Sequence, residues 1–392
     1  MLQLRGHRWL KAGLTEMSPI QQALIYSFCE NHDKAIQVLD GATLNRPEIN
    51  IIILLAKTQM KAKRTKEAVR LFKKALDVCS HSERGPHALE ATVDCLYNLG
   101  LCYMDEGNFQ MAFESFTKAV KINPNFAEGF HQRGLCKVKL HKDSSILDFN
   151  RAITLNPKHY EAYLNRVAFY GLKGRYSKAI LNCNEAINIY PQSVRAYIYR
   201  GVLKYHNRTY KLAITDLTTA INMDKNSYVA FYNRALCYTK IGELQMAQEK
   251  FQKAWNHFTI AIEVDPKSYL AYEGRAVVCL QMGNNFAAIQ DINFAIKINT
   301  TAEFLTNRGV IHEFMGQQQN AMRDYQAAIS LNPTYALAYF NAGNIYFHHR
   351  QFSQVIDALV YNLRAEVRGK MGAIEEAMAD YNQALDLQEY AK

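Results

Sequence analysis

Small and apolar residues return along this chain on two periods at once. Within a stretch they recur every three or four positions, the spacing of one buried helical face. Across the chain the same pattern comes back every 33 to 34 residues. Four stretches align directly: Phe130 to Gly134, Tyr163 to Val167, Phe231 to Ala235 and Tyr272 to Ala276, each an aromatic residue followed three positions on by Arg and then by a small or β-branched residue. A second small residue stands roughly a dozen positions later, at Ala179, Ala213, Ala288, Ala321 and Ala377. An Asn-Pro or Asp-Pro step closes several units: Asn123-Pro124, Asn156-Pro157, Asp265-Pro266 and Asn332-Pro333. This pattern predicts an all-α array in which each unit is a helix A, a turn and a helix B, stacked on its neighbours.

Aligned unit by unit, the small residue of helix A is Gly100, Gly134, Val167, Gly201, Ala235, Ala276, Gly309, Gly343 and Ala365. Its helix B counterpart is Ala112, Ser145, Ala179, Ala213, Ala247, Ala288, Ala321 and Ala377. Four residues before the first column runs an apolar one: Leu96, Phe130, Tyr163, Tyr197, Phe231, Tyr272, Leu305, Tyr339 and Tyr361. Small residues let two helices approach closely while the large column fills the space between units. In these positions the chain resembles the tetratricopeptide repeat family. The resemblance implies a right-handed superhelical solenoid of about ten tandem helix-turn-helix repeats. It implies a protein-binding scaffold in the cytoplasm, at most with a cilium-associated assembly role.

The pattern also sets expected boundaries. Residues 1–17 form a tail, 18–82 two N-terminal repeats, 83–91 a linker and 92–392 the main array. Two places break the period. From Asp224 to Asp265 is 41 residues, which predicts an extended repeat at 227–267 in which a helix B longer by about two turns keeps its apolar face in register. From Tyr339 to Tyr361 is only 22 residues, which predicts a truncated repeat at 335–356 and a weak point at 350–358. Both junctions read as the marks of removed repeats, as in a splice-shortened form.

Composition changes this picture little. Hydrophobic residues make up 49 % and charged residues 21 %, as in a folded globular chain rather than a disordered one. No apolar run is long enough to span a bilayer, so membrane insertion is not expected. The eight cysteines lack a CxxC pair, and Cys102, Cys136 and Cys237 share one helical position as small buried hydrophobes would in a reducing compartment. Their scatter predicts no metal site. The net charge of +10 concentrates at Lys57, Lys61, Lys63, Arg64, Lys66, Arg70, Lys73 and Lys74. That hairpin is either a solvated helix face or a surface for an acidic partner or nucleic acid. The absence of a regular column of base-reading side chains argues against nucleic acid.

No phosphate loop, dinucleotide fingerprint, HExxH or GxSxG occurs, so neither catalysis nor a cofactor is expected. The informative surface is helix A. In the family the residue two before the small crossing residue lines the concave groove. Here it is Asn98, Gln132, Asn165, Asn233, Asn307 and Asn341, interrupted by Tyr199 and Gly274. Carboxamides both donate to and accept from a peptide main chain, so this ladder suits an extended peptide. The ladder resembles the asparagine column in the recruiting arm of O-linked N-acetylglucosamine transferase; solvated polar residues are the competing reading. Beside it stand Arg133, Arg166, Arg200, Arg234, Arg275, Arg308 and Arg364, and helix B carries Asp148, Asp216, Asp291, Asp324 and Asp380. Leu99 has Ser115 in place of the acid, and this matched absence favours Arg–Asp pairs within repeats over a ligand-binding row. Arg166, facing Asn182, and Arg234, in the irregular repeat, are then the candidates for groove charges. The lysine column of a chaperone-type carboxylate clamp reads Tyr97, His131, Leu164, Ile198, Tyr232 and Glu273, so that clamp is absent. The expected partners are proteins or peptides of unspecified identity. The alternatives are a recruiting subunit for an enzyme on another chain and a nucleic-acid binder using the basic hairpin.

Overall fold

In the computed structural model, residues 17–45, 48–81 and 85–348 are described. They contain nineteen α-helices and no strand. These fall into two compact units, one running to Tyr190 and the other from Pro191.

The first unit comprises five helix pairs: α1 (Pro19–Phe28) with α2 (His32–Asn45), α3 (Ile49–Lys61) with α4 (Thr65–His81), α5 (Pro86–Asp105) with α6 (Phe109–Ile122), α7 (Ala127–Lys139) with α8 (Ser145–Leu155), and α9 (Tyr160–Leu172) with α10 (Tyr176–Ile189). The helix starts are specified locally. Ser18 forms a capping box with Gln21, and Pro19 and Pro86 occupy first-turn positions where a missing N–H costs nothing. The start of α5 at Pro86 lies within the stretch read as a linker.

The second unit repeats the arrangement in α11 (Val194–His206) with α12 (Tyr210–Met223), α13 (Tyr228–Gln245) with α14 (Gln248–Val264), α15 (Tyr269–Gln281) with α16 (Asn285–Ile298), and α17 (Ala302–Phe314) with α18 (Gln318–Leu331). The helix A α19 (Ala336–His348) follows. The weak point expected at 350–358, Arg364, Asp380 and the last repeat lie outside the described residues.

Two devices join the helices within both units. At the end of helix B the Asn or Asp of the closing step bends the chain: Oδ1 of Asn123, Asn156, Asp224, Asp265 and Asn332 accepts the backbone N–H two residues on, at 3.0–3.1 Å. Between A and B a residue turns left-handed. Gly107, Gly174, Gly283 and Gly316 do so without strain, whereas Glu30, Lys63, His141 and Arg208 do so with a Cβ.

The small columns act as expected. A Cβ built on Gly100, Gly134, Gly201 or Gly309 would lie 2.4–2.7 Å from Phe116, Phe149, Leu217 or Tyr325 of the paired helix B. Ala112, Ala179, Ala213, Ala288 and Ala321 are fully buried, and Ser145 nearly so. Val167 is buried at 3 % exposure, so the larger side chain is absorbed.

The extended repeat corrects the expectation of a lengthened helix B alone. Its helix A, α13, has 18 residues against 13 in its neighbours, and α14 has 17 against 14. Both helices lengthen because a helix B grown alone would carry its added apolar turns past any partner. The added turns are packed: Gly242 of α13 receives the Phe251 ring of α14, 2.8 Å from where a Cβ would stand. Ala247 caps α14, and the fully buried helix B alanine is Ala254.

Candidate peptide-binding site

Each unit presents its own part of the carboxamide column. In the first unit Asn98 Nδ2 donates to Asp94 O at 2.7 Å and to its carboxylate at 3.0 Å, while Lys57 holds that carboxylate at 2.6 Å. Gln132 Nε2 donates to Glu128 Oε1 at 2.7 Å. Asn165 Nδ2 donates to Glu161 O and to His131 Nε2, both at 2.9 Å. In the second unit Asn233 Nδ2 donates to Val229 O at 2.7 Å and Asn307 Nδ2 to Glu273 Oε1 at 3.0 Å. Asn341 is half-buried on α19.

The column therefore has a polarity that the sequence reading missed. For all five amides with described bonds the NH₂ group is committed to the protein, and the carbonyl oxygen accepts no bond among the described residues. Asn98, Asn165 and Asn233 face a helical carbonyl four residues back, and Gln132 and Asn307 a glutamate carboxylate; each such acceptor requires the amide nitrogen and leaves the oxygen free of it. The column is an array of acceptors rather than of two-way hydrogen bonders. Its gaps have causes as well. The Phe258 ring fills the space a Gly274 Cβ would need, and Tyr199 Oη accepts from Arg195 Nε at 3.2 Å.

The arginine row divides as its acids require. Arg133, Arg200, Arg275 and Arg308 each bond their helix B aspartate through Nε and Nη2, at 2.5–3.0 Å. The four carboxylates are buried, and Lys137 and Lys204 add a second cation to Asp148 and Asp216. Arg275 and Arg308 also reach back to Thr259 and Asn293 of the preceding helix B. Arg275 and Arg308 thus clamp three helices, and all four pairs leave little charge for a ligand.

Arg166 and Arg234 have no carboxylate partner among the described residues. Arg166 lies over Tyr163 and Tyr170 with its buried Nε unbonded, and Asn182 turns its own amide to Lys178 O at 2.8 Å. Arg234 donates to Thr218 Oγ1 at 3.1 Å and lies over Phe231, again with Nε unbonded. The lengthened α14 brings His257, in place of an aspartate, near Arg234. Burial first, then Arg234 and Lys253, lowers this imidazole to about 4, and its buried Nδ1 is also unbonded.

The expectation that no potential ligands cluster is corrected. Glu128, His131 and His159 bring three donor atoms within 4.8 Å of one another. Glu128 Oε1 lies 3.3 Å from His131 Nδ1, and Oε2 lies 3.1 Å from His159 Nε2. Stacking of successive repeats joins residues 31 apart, so local spacing hides the group; only the one-repeat offset could have revealed it. The outer nitrogens settle its chemistry. His159 Nδ1 caps α9 by accepting the Ala162 N–H, and His131 Nε2 accepts from Asn165. Both inner nitrogens then carry hydrogens and donate to Glu128, whereas a metal-binding imidazole needs its outer nitrogen beside an acceptor. The group is a hydrogen-bonded stitch between α7 and α9. The two histidines and Gln132 hold the Glu128 carboxyl well below the usual range.

The basic hairpin is partly neutralised. Lys57 pairs with Asp94, Arg64 with Asp33 at 2.7 Å and Arg70 with Glu67, and Lys73 sits over Tyr103. No described helix is long and apolar enough to cross a membrane.

Comparison with known proteins agrees with this architecture. Family models described as tetratricopeptide repeats match residues 93–126, 239–300, 315–349 and 358–390. Human tetratricopeptide repeat protein 6 is 45 % identical over 383 aligned residues, covering 88 % of this chain and 74 % of that protein. A Giardia intestinalis UDP-N-acetylglucosamine–peptide N-acetylglucosaminyltransferase is 34 % identical over 73 residues, 18 % of this chain and 5 % of that one. Two solved structures share the fold at a TM-score of 0.53. A tetratricopeptide repeat protein from Parabacteroides merdae is 21 % identical, over 64 % of this chain and 97 % of that one. The human IFIT1 dimer with m7Gppp-AAAA is 18 % identical, over 94 % and 89 %. With its repeat period, its glycine crossings and an extended relative all in agreement, the chain belongs to the tetratricopeptide repeat family.

Proposed function

We propose that this chain is a non-catalytic scaffold that holds extended segments of partner proteins along its helix A faces, at Asn98, Gln132 and Asn165 in the first unit and at Asn233, Asn307 and Asn341 in the second. The observation that carries this reading is the acceptor polarity of the column. A row of outward amide oxygens suits a strand whose main-chain N–H groups point toward it, read without regard to side chain. Arg166 and Arg234 are the cations of the row without a carboxylate among the described residues, and an acidic side chain of a bound segment would supply one. Ion pairing of the basic hairpin with Asp94, Asp33 and Glu67 disfavours the nucleic-acid alternative. Recruitment to an enzyme on another chain is a special case of the scaffold, distinguished by a stoichiometric enzyme in the purified complex. Seven buried cysteines outside any disulfide among the described residues suit the cytoplasm, and imaging of a tagged chain tests the finer placement at a cilium.

The test is affinity purification with mass spectrometry, comparing the intact chain with an Asn165→Ala, Asn233→Ala, Asn307→Ala variant of matched helicity. Selective loss of partners is expected. An unchanged partner set from the folded variant would overturn the reading.

A further inference from the structure

In the first unit, the last turns of α7 and α9 and the turn leading into α8 enclose an open cleft of about 740 Å³, within the range of ligand sites. Its apolar surface includes Val138, Phe169 and Leu172, and Leu172 is 89 % exposed. Its rim is basic. Lys173 pairs with Asp143 at 3.0 Å, the one acid lining the cleft, while Lys139 and Lys142 have no carboxylate partner among the described residues. Their ammonium groups instead stand over the rings of Phe109 and Phe113, at 5.9 and 4.7 Å. Asn165 also lines this cleft, its NH₂ already spent on Glu161 and His131.

We propose that this cleft docks an acidic segment carrying an apolar anchor side chain, and so sets which partner segment the scaffold takes. The anchor covers Val138 and Leu172, the acids meet Lys139 and Lys142, and a main-chain N–H donates to Asn165 Oδ1. Charge complementarity selects this occupant, because two lysines of the cleft lining with no carboxylate partner among the described residues favour, beside an apolar floor, carboxylates flanking a hydrophobic residue. His141, at a φ of +55° as at the Glu30, Lys63 and Arg208 turns, places its side chain in the cleft lining beside Lys142.

This inference rests on the scaffold reading, and the test separates the two. Three fluorescent hexapeptides serve as probes: Glu-Leu-Glu-Phe-Asp-Glu, its lysine-for-acid counterpart and its alanine-for-apolar counterpart. The acidic, apolar peptide should bind best, more weakly with added salt. Affinity should fall about tenfold or more in Lys139→Glu/Lys142→Glu and in Leu172→Asp, substitutions at exposed positions whose melting curves check the fold. Asn233→Ala/Asn307→Ala, in the other unit, should leave it unchanged. Photo-crosslinking from the anchor position should label α7 or α9. The cleft assignment is overturned by absence of saturable binding at millimolar peptide, by equal binding of the lysine peptide, or by indifference to the cleft variants. Binding lost only in the Asn233/Asn307 variant would overturn the cleft and keep the scaffold. Capture of an RNA oligonucleotide in place of the peptide would overturn both.

Discussion

A buried guanidinium needs an acceptor for Nε and Nη2 together, and a planar carboxylate meets both. Among the described residues four repeats supply one, and removing either partner costs more than the pair itself contributes, because the other is left charged without its counter-ion. Asp291→Asn should therefore lower stability by about 3 kcal/mol in denaturant unfolding. His257→Asp should do the reverse, giving Arg234 its carboxylate and raising the melting temperature; no change would show that the lengthened helix holds the two groups too far apart. The imidazole also makes a pH prediction. Its folded pKa of about 4 lies below its ordinary 6.5, so the unfolded chain takes up the proton first. This contribution to stability is complete above about 6.5 and disappears as pH falls toward 4. Melting curves of the wild type and His257→Gln should converge with acid across that window.

At the scale of helices and turns, crossings are set by what a glycine makes room for. Gly242→Val would drive two methyl groups into the Phe251 ring and should cost about 1–3 kcal/mol. At the turns, Arg208→Gly should add up to about 1 kcal/mol by relieving a left-handed Cβ, measured by thermal unfolding. Pairing, crossings and Arg–Asp clamps were legible in the sequence because each depends on one residue type at one fixed offset. Gly134 and Phe149, or Arg275 and Asp291, announce themselves on the repeat period. The lengthening of α13 was not legible, since either helix could absorb extra residues without losing its apolar stripe. Nor was the acceptor polarity of the asparagines, which depends on rotamer rather than identity. The Glu128 stitch escaped because it joins helices one repeat apart.

At the scale of the molecule, each unit is a run of repeats that contact their neighbours, and its stability is a chain of local terms. The cysteines let each term be read. Cys29 is exposed, while the other seven are buried, with burial pushing Cys95 and Cys237 up to about 12. Alkylation of the native chain should modify Cys29 within minutes and the rest only as their repeats open, followed by peptide mass mapping. Rapid native labelling of Cys136 or Cys237 would contradict the packing at those crossings. The seven buried sulfurs lie in α4, α5, α7, α10, α13 and α15, where an adduct would have to displace packed neighbours. A repeat that opens briefly among oxidants therefore could not close again with its sulfur modified. Passing fluctuations would be written into the chain as permanent marks, and an ageing population of molecules would carry a residue-by-residue record of where it had come apart.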